Sequence, residues 1–189
     1  MTQSKIKFSS FEEYLSYDDG TDQLYELLNG ELVELPPESG QNFEIATFLL
    51  LQLVPLIGHR RLRGHGLELQ VRGQPQNRFP DLTVLREEHV EQLKRRNTIL
   101  LSMAPPMLVV EIVSPGETSR SRDYISKREQ YENRGIPEYW IIDPQTQRVT
   151  VLELQAEAYR ETGVFQASEI IRSSTFPMLD LTPAQLFAD

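Results

Sequence analysis

The segment Met107–Val113, Met-Leu-Val-Val-Glu-Ile-Val, constrains the fold more than any other stretch of the chain. A strand with one wet face alternates apolar and polar residues; six of these seven are apolar, so both faces need cover. Ser114-Pro115-Gly116 ends the run. Ser119 to Arg134 then reads as a helix closed by Gly135, with Pro137 just beyond, and Tyr139 to Ile142 reads as the next strand. Val149 to Leu154 follows across Asp143-Pro144. A strand, a helix and a strand in that order are the makings of a layered α/β sheet.

Upstream, Phe11 to Tyr17 reads as a short helix ended near Asp18-Asp19-Gly20. Leu24 to Leu28 and Glu31 to Leu35 flank Asn29-Gly30, the dipeptide of a tight hairpin, and Pro36-Pro37 stops the second strand. Phe43, Ala46, Leu50, Leu53, Val54 and Ile57 fit a helical stripe, with a break or kink expected near Pro55. Leu67 to Arg72 alternates like a half-exposed strand, and Asp81 to Leu85 is a strand entered through Pro80. Glu87 to Arg96 reads as a surface helix, and Thr182-Pro183 opens a last one over Ala184 to Phe187. The expectation is one α/β domain with a mixed sheet flanked by helices: helix and β-hairpin extension over 1–40, core over 41–155, C-terminal strands and short helix over 156–189.

Composition narrows the chemistry. The chain has no cysteine, which excludes disulfides, thiol catalysis and Cys-ligated zinc. No apolar run approaches the roughly 18–20 residues of a membrane span, and the N-terminus opens no secretory segment, so a cytoplasmic protein with no membrane partner is expected. The net charge of −9 argues against a phosphate-backbone partner, but it is unevenly placed. Residues 1–44 carry 2 basic and 10 acidic side chains, whereas 45–152 carry 15 basic and 12 acidic. A basic centre between acidic ends can still present a positive face.

Glu111 is the most informative residue. A carboxylate inside a buried strand is costly unless paired, hydrogen-bonded, neutralised or metal-bound. If 81→85 and 107→111 are antiparallel neighbours, Asp81 and Glu111 meet at one end of the sheet. Two converging carboxylates suit a hard divalent cation such as Mg²⁺, although an arginine partner for Glu111 and a plain strand-start role for Asp81 fit equally simple patterns. Asp123 and Lys127 lie four apart on one helix face, with Tyr131 a turn further. They form either an ordinary surface pair or an arrangement that aims Lys127 at the carboxylates, to orient a water or stabilise charge on a phosphoryl group.

Several segments together resemble one family. These are Arg78-Phe79-Pro80-Asp81, then Val109-Val110-Glu111-Ile112-Val113-Ser114-Pro115, then Asp123-Tyr124-Ile125-Ser126-Lys127, then Tyr131 to Pro144 with its Gly135-Ile136-Pro137-Glu138-Tyr139-Trp140 core. With Tyr25 to Glu34 they are similar to the bacterial Uma-type restriction endonucleases of the PD-(D/E)xK nuclease superfamily, over roughly residues 10 to 155. The resemblance implies a restriction-endonuclease-like core and Mg²⁺-dependent hydrolysis of DNA phosphodiesters, with Mn²⁺ as a substitute ion. It assigns the metal to Asp81 and Glu111, with help from a backbone carbonyl near Ile112, and makes Lys127 the third catalytic residue. The superfamily's usual lysine, two residues after the acid, is replaced here by Val113, and Lys127 stands in for it. An added acid from the first core helix would be Glu44, two residues after Asn42, where the family often has histidine.

Other designs fit less well. His59, His65 and His89 show no zinc-binding spacing, Gly64-His65-Gly66 has Leu69 where a dinucleotide fingerprint needs glycine, and Ser114 has no base in view. The basic groups Arg60, Arg61 and Arg63, then Lys94, Arg95 and Arg96, then Arg120, Arg122 and Arg128, are candidates for DNA backbone contact and equally for a solvated face. The rival reading is a catalytically inactive nuclease-fold module for DNA binding or protein assembly. A homodimer is expected, since two-fold nucleases cut duplex DNA with two sites.

Overall fold

The structure is a computed structural model that describes residues 6–116 and 121–188. Ser119 and Arg120 therefore lie outside the described residues. The main sheet has six strands in the order β11-β10-β9-β8-β6-β3: β3 (Leu62–Gly64), β6 (Leu82–Val84), β8 (Leu108–Ile112), β9 (Glu138–Asp143), β10 (Arg148–Gln155) and β11 (Ala158–Gln166). Within this sheet, among the described residues, β8 and β9 alone run parallel, and residues 121–137 of the connection between them lie over one face. A smaller sheet joins β4 (Glu68–Gln70), β5 (Asn77–Arg78) and β7 (Thr98–Ile99). The hairpin β1 (Tyr25–Leu28) and β2 (Glu31–Glu34) stands apart, turning on Asn29 and Gly30, both at positive φ as this tight turn needs.

Alternation along β8 explains why its sequence is apolar on both sides. Leu108, Val110 and Ile112 join a core with Ile45, Leu49 and Leu53 of α2 (Gly40–Ile57), with Trp140 and Ile142 of β9. Val109 and Val113 face the other way, into a core with Tyr131, Tyr139 and Ile141. Tyr131 belongs to α4 (Arg128–Arg134), so the sheet is held between α2 and the crossover. The remaining helices are short: α1 (Phe11–Leu15), α3 (His89–Gln92) and α5 (Pro183–Leu186), the last opened by a Thr182–Gln185 capping box.

Two expectations need correction. The helix does not break at Pro55 but continues to Ile57, with Gly58 N–H bonded to Val54 O at 2.8 Å. Pro55 sits in the last turn, where one missing N–H costs a single intrahelical bond and the chain is about to leave the helix anyway. The crossover is not α-helical throughout, because Arg122–Lys127 forms a π-helical stretch before α4 begins. By length and composition alone, α2 is long and apolar enough to span a membrane, with 18 residues of mean hydropathy 1.3. Its buried side packs on the sheet as a core helix.

Candidate active site

Strand register builds the site before any side chain is considered. β6 and β8 pair antiparallel, with Leu82 opposite Val110, so one step further sets Asp81 opposite Glu111. β3 and β6 pair with Gly64 opposite Leu82, and the same step sets His65 opposite Asp81. Directly opposed residues share a face of the sheet. Three adjacent strand ends thus carry His65, Asp81 and Glu111 side by side.

Glu111 is buried at 2% exposure, and both of its oxygens are engaged. Lys127 Nζ donates to Oε2 at 2.6 Å, and Tyr131 Oη donates to Oε1 at 2.5 Å. Lys127 also reaches Asp123 Oδ1 at 2.9 Å, so one ammonium serves two buried carboxylates. Asp123 Oδ2 is buried without a hydrogen-bond partner, while its other oxygen also meets Arg122 Nε at 3.3 Å. Of the two readings of the 123–127 spacing, the surface pair is therefore excluded: both residues are buried and Lys127 points at Glu111.

Asp81 is 6% exposed, and its Oδ2 accepts the Ile112 N–H at 2.6 Å. Its Oδ1 accepts no hydrogen bond among the described residues. Burial, reinforced by the neighbouring Glu111 charge, pushes the Asp81 carboxyl well above the usual range, against the pull of Lys127 and the Ile112 amide. Burial likewise raises Glu111, opposed chiefly by Lys127. For Lys127 burial works against the charge, yet Glu111 and Asp123 outweigh it and the pKa rises, so the ammonium persists. The Tyr131 phenol is raised well above its ordinary value, first by burial and then by Glu111, so it stays a donor.

A cavity of about 300 Å³ opens over these groups, lined by Asp81, Glu111, Lys127 and Arg122 on one side. Glu26 of the hairpin and the Leu35–Ser39 linker wall the other. Arg78 secures that wall, donating to both Glu26 oxygens at 2.9 and 3.1 Å and to Gln130 of α4 at 2.7 Å. Asn42 at the start of α2 donates to Ile112 O and Ser114 Oγ, both at 3.2 Å, so the carbonyl expected to help hold a metal already has a donor. Glu44 is exposed on the other side of α2 and takes no part in this cavity.

The basic groups are mostly committed elsewhere. Arg60 and Lys94 both lie against Glu91, Arg61 donates to Leu85 O, Arg63 to Arg60 O and Leu62 O, and Arg96 to Leu15 O. Arg128 donates to Tyr159 O, which leaves Arg122 as the member of those groups, among the described residues, that lines the cavity. Glu38 and His65 were not selected from sequence, yet one ligand atom from each lies with one from Asp81 inside a 4.8 Å cluster. The register of β3 would have pointed to His65, but three residues, Leu62-Arg63-Gly64, carry no readable strand pattern.

Residues 11–184 match the family model Uma2, described as "Putative restriction endonuclease". The fold resembles the crystal structure of a "putative nuclease belonging to DUF820" from Anabaena variabilis, with a TM-score of 0.68 and 21% identity. That alignment covers 95% of this chain and 97% of the other. No curated protein sequence matches the chain.

Proposed function

Because this chain belongs to the Uma2 family of restriction-endonuclease-like proteins, we propose that it is a divalent-metal-dependent endonuclease acting on DNA through Asp81, Glu111 and Lys127. One observation carries the reading: two buried carboxylates at adjacent strand ends open into a cavity with a buried ammonium beside them. The donor set suits a hard cation. Asp81 offers an uncommitted oxygen, and each Glu111 oxygen keeps a second lone pair beside its single hydrogen bond. Asp81 and Glu111 would hold a divalent cation, whose positive charge would make a bound water more acidic and offset charge on the phosphodiester under attack.

The remaining work falls to the chain. Tyr131 and Lys127 fix the Glu111 carboxylate from both sides, while the Ile112 amide fixes Asp81. Lys127, charged at neutral pH, stands where it can position the attacking water or shield non-bridging phosphate oxygens. Asp123 holds Lys127 against Glu111 and so compensates for Val113 at the superfamily's usual lysine position. A binding-only role is favoured by one feature, the engagement of both Glu111 oxygens.

Supercoiled plasmid incubated with Mg²⁺ or Mn²⁺ tests the proposal. Nicking should require metal and fall at least about a hundredfold in Asp81→Asn and in Glu111→Gln. Cleavage that survives both substitutions places the chemistry elsewhere, and a shifted plasmid band without cleavage identifies the binding module.

A further inference from the structure

The proposed reaction leaves Glu38 and His65 unused, yet both stand against Asp81. We infer that Glu38, His65 and Asp81 form a cation position of their own, one that takes Mn²⁺ in preference to Mg²⁺. It shares Asp81 with the nuclease reading but does not depend on hydrolysis.

One ligand atom from each of the three lies within 4.8 Å of the other two, close enough for a single ion to bridge them, and Glu111 is outside this cluster. Asp81 lines both neighbouring cavities, and its Oδ1 has no donor among the described residues, so that oxygen is available to a cation. Glu38 is held in place: its Oε1 accepts the Ser39 N–H at 2.9 Å, and Ser39 in turn caps α2 through Asn42 N–H. His65, exposed at the turn after β3, makes no hydrogen bond among the described residues, so its ring nitrogens are available.

Two cavities meet here. The first, of about 300 Å³, holds Glu111 and Lys127; the second, of about 220 Å³, lies against Phe43, Ala46 and Leu50 of α2. Glu38, His65 and Asp81 are the three residues the two linings share. An ion at that waist would have space on both sides for the waters that complete six-fold coordination. The imidazole decides the ion. Mg²⁺ selects oxygen ligands and gives up water reluctantly, whereas Mn²⁺ accepts a nitrogen together with carboxylates.

Binding can be read without any substrate. Free Mn²⁺ is titrated by electron paramagnetic resonance at pH 7.5 against the full chain, with Mg²⁺ as competitor, for wild type, His65→Ala, Glu38→Gln and His59→Ala. Wild type should bind Mn²⁺ at least about tenfold more tightly than Mg²⁺. His65→Ala and Glu38→Gln should each weaken Mn²⁺ at least about tenfold, and His65→Ala should erase the preference. His59→Ala, an exposed histidine that lines a different cavity, should leave Mn²⁺ binding within about twofold of wild type. Both new positions are at least partly exposed, and circular dichroism of each variant checks that the fold is retained. Wild type that binds no Mn²⁺, a His65→Ala titration that overlays wild type, or a loss in His59→Ala equal to that in His65→Ala overturns the separate position. Plasmid cleavage distinguishes the two proposals. Mn²⁺ preference without cleavage refutes the nuclease alone, and cleavage without that preference refutes this site alone.

Discussion

Replacing Lys127 by Met keeps most of the side-chain volume and removes the charge that two buried carboxylates share. Glu111 is 2% exposed and Asp123 is 0% exposed, so the charges left behind stay largely desolvated. Removing one partner of a buried pair costs about 3–5 kcal/mol, because a buried charge is left uncompensated. For a chain of this size, roughly 2–4 °C per kcal/mol converts that cost to a melting point lower by about 6–20 °C. Acid should relieve it. Burial already holds the Glu111 pKa above 4.5, and loss of the ammonium raises it further, so the native variant binds a proton that the unfolded chain releases. A raised folded pKa gives stability that is complete below 4.5 and is lost as pH rises through the folded value. Urea unfolding of wild type and Lys127→Met at pH 7.5 and pH 5 should therefore show a large gap that narrows in acid. Adding Glu111→Gln to Lys127→Met should recover a substantial part of the loss at pH 7.5. A cost below about 1 kcal/mol, the size of an exposed pair, or an equal cost at both pH values would refute the buried-pair argument.

Tyr131→Phe leaves Glu111 Oε1 without its donor; urea unfolding should show a loss of about 1.5–3 kcal/mol, as for other hydrogen bonds to charged groups, and no loss would mean water replaces the phenol. His89 is buried, with Arg86 N–H donating to its Nδ1 at 3.2 Å and Ala104 O at 3.0 Å from its Nε2, and burial lowers its pKa below 6.5. A depressed folded value means the unfolded state binds the proton first, so stability is full above 6.5 and falls as pH drops toward the folded pKa. Thermal melts of wild type and His89→Gln between pH 7.5 and 5 should show a shallower acid slope in the variant, and parallel slopes would remove His89 from the account.

The centre of this fold is legible because its residues answer to one constraint each. Leu108, Val110 and Ile112 must meet a helix on one face, and Val109 and Val113 must meet another on the second; an apolar run is the sole pattern that does both. Asn29-Gly30 and Gly135 mark turns by backbone conformation, with φ of 53°, 81° and 78°. Asp81 and Glu111 could be placed together because three residues of each strand pair antiparallel in register, and both carboxylates sit one step beyond the last pair. The legible signals end where a short strand has neither an apolar run nor a proline entry to mark it. β3, β5 and β7 are too short for alternation to register, and their places are set by neighbours. His65 was hidden for that reason. Glu44 misled because α2 is apolar on several sides: the buried Asn42 and the exposed Glu44, two residues apart, point nearly opposite ways around a helix. The π-helical stretch at Arg122–Lys127 leaves no compositional mark, since the carboxylates and the ammonium it brings together would also suit an α-helix.

The order of strands across the main sheet, β3, β6, β8, β9, β10, β11, is also their order along the chain. Each new strand joins at the free edge left by its predecessor, and none has to wedge between two already in place. On a ribosome, where N-terminal parts emerge first, such a sheet can be laid down in the sequence of its synthesis. His65, Asp81 and Glu111 are then aligned as soon as β8 docks, before the second half of the sheet exists. The crossover that brings Lys127 and Tyr131 over Glu111 follows directly. The nascent chain thus carries an unbalanced carboxylate edge only for the length of one connection.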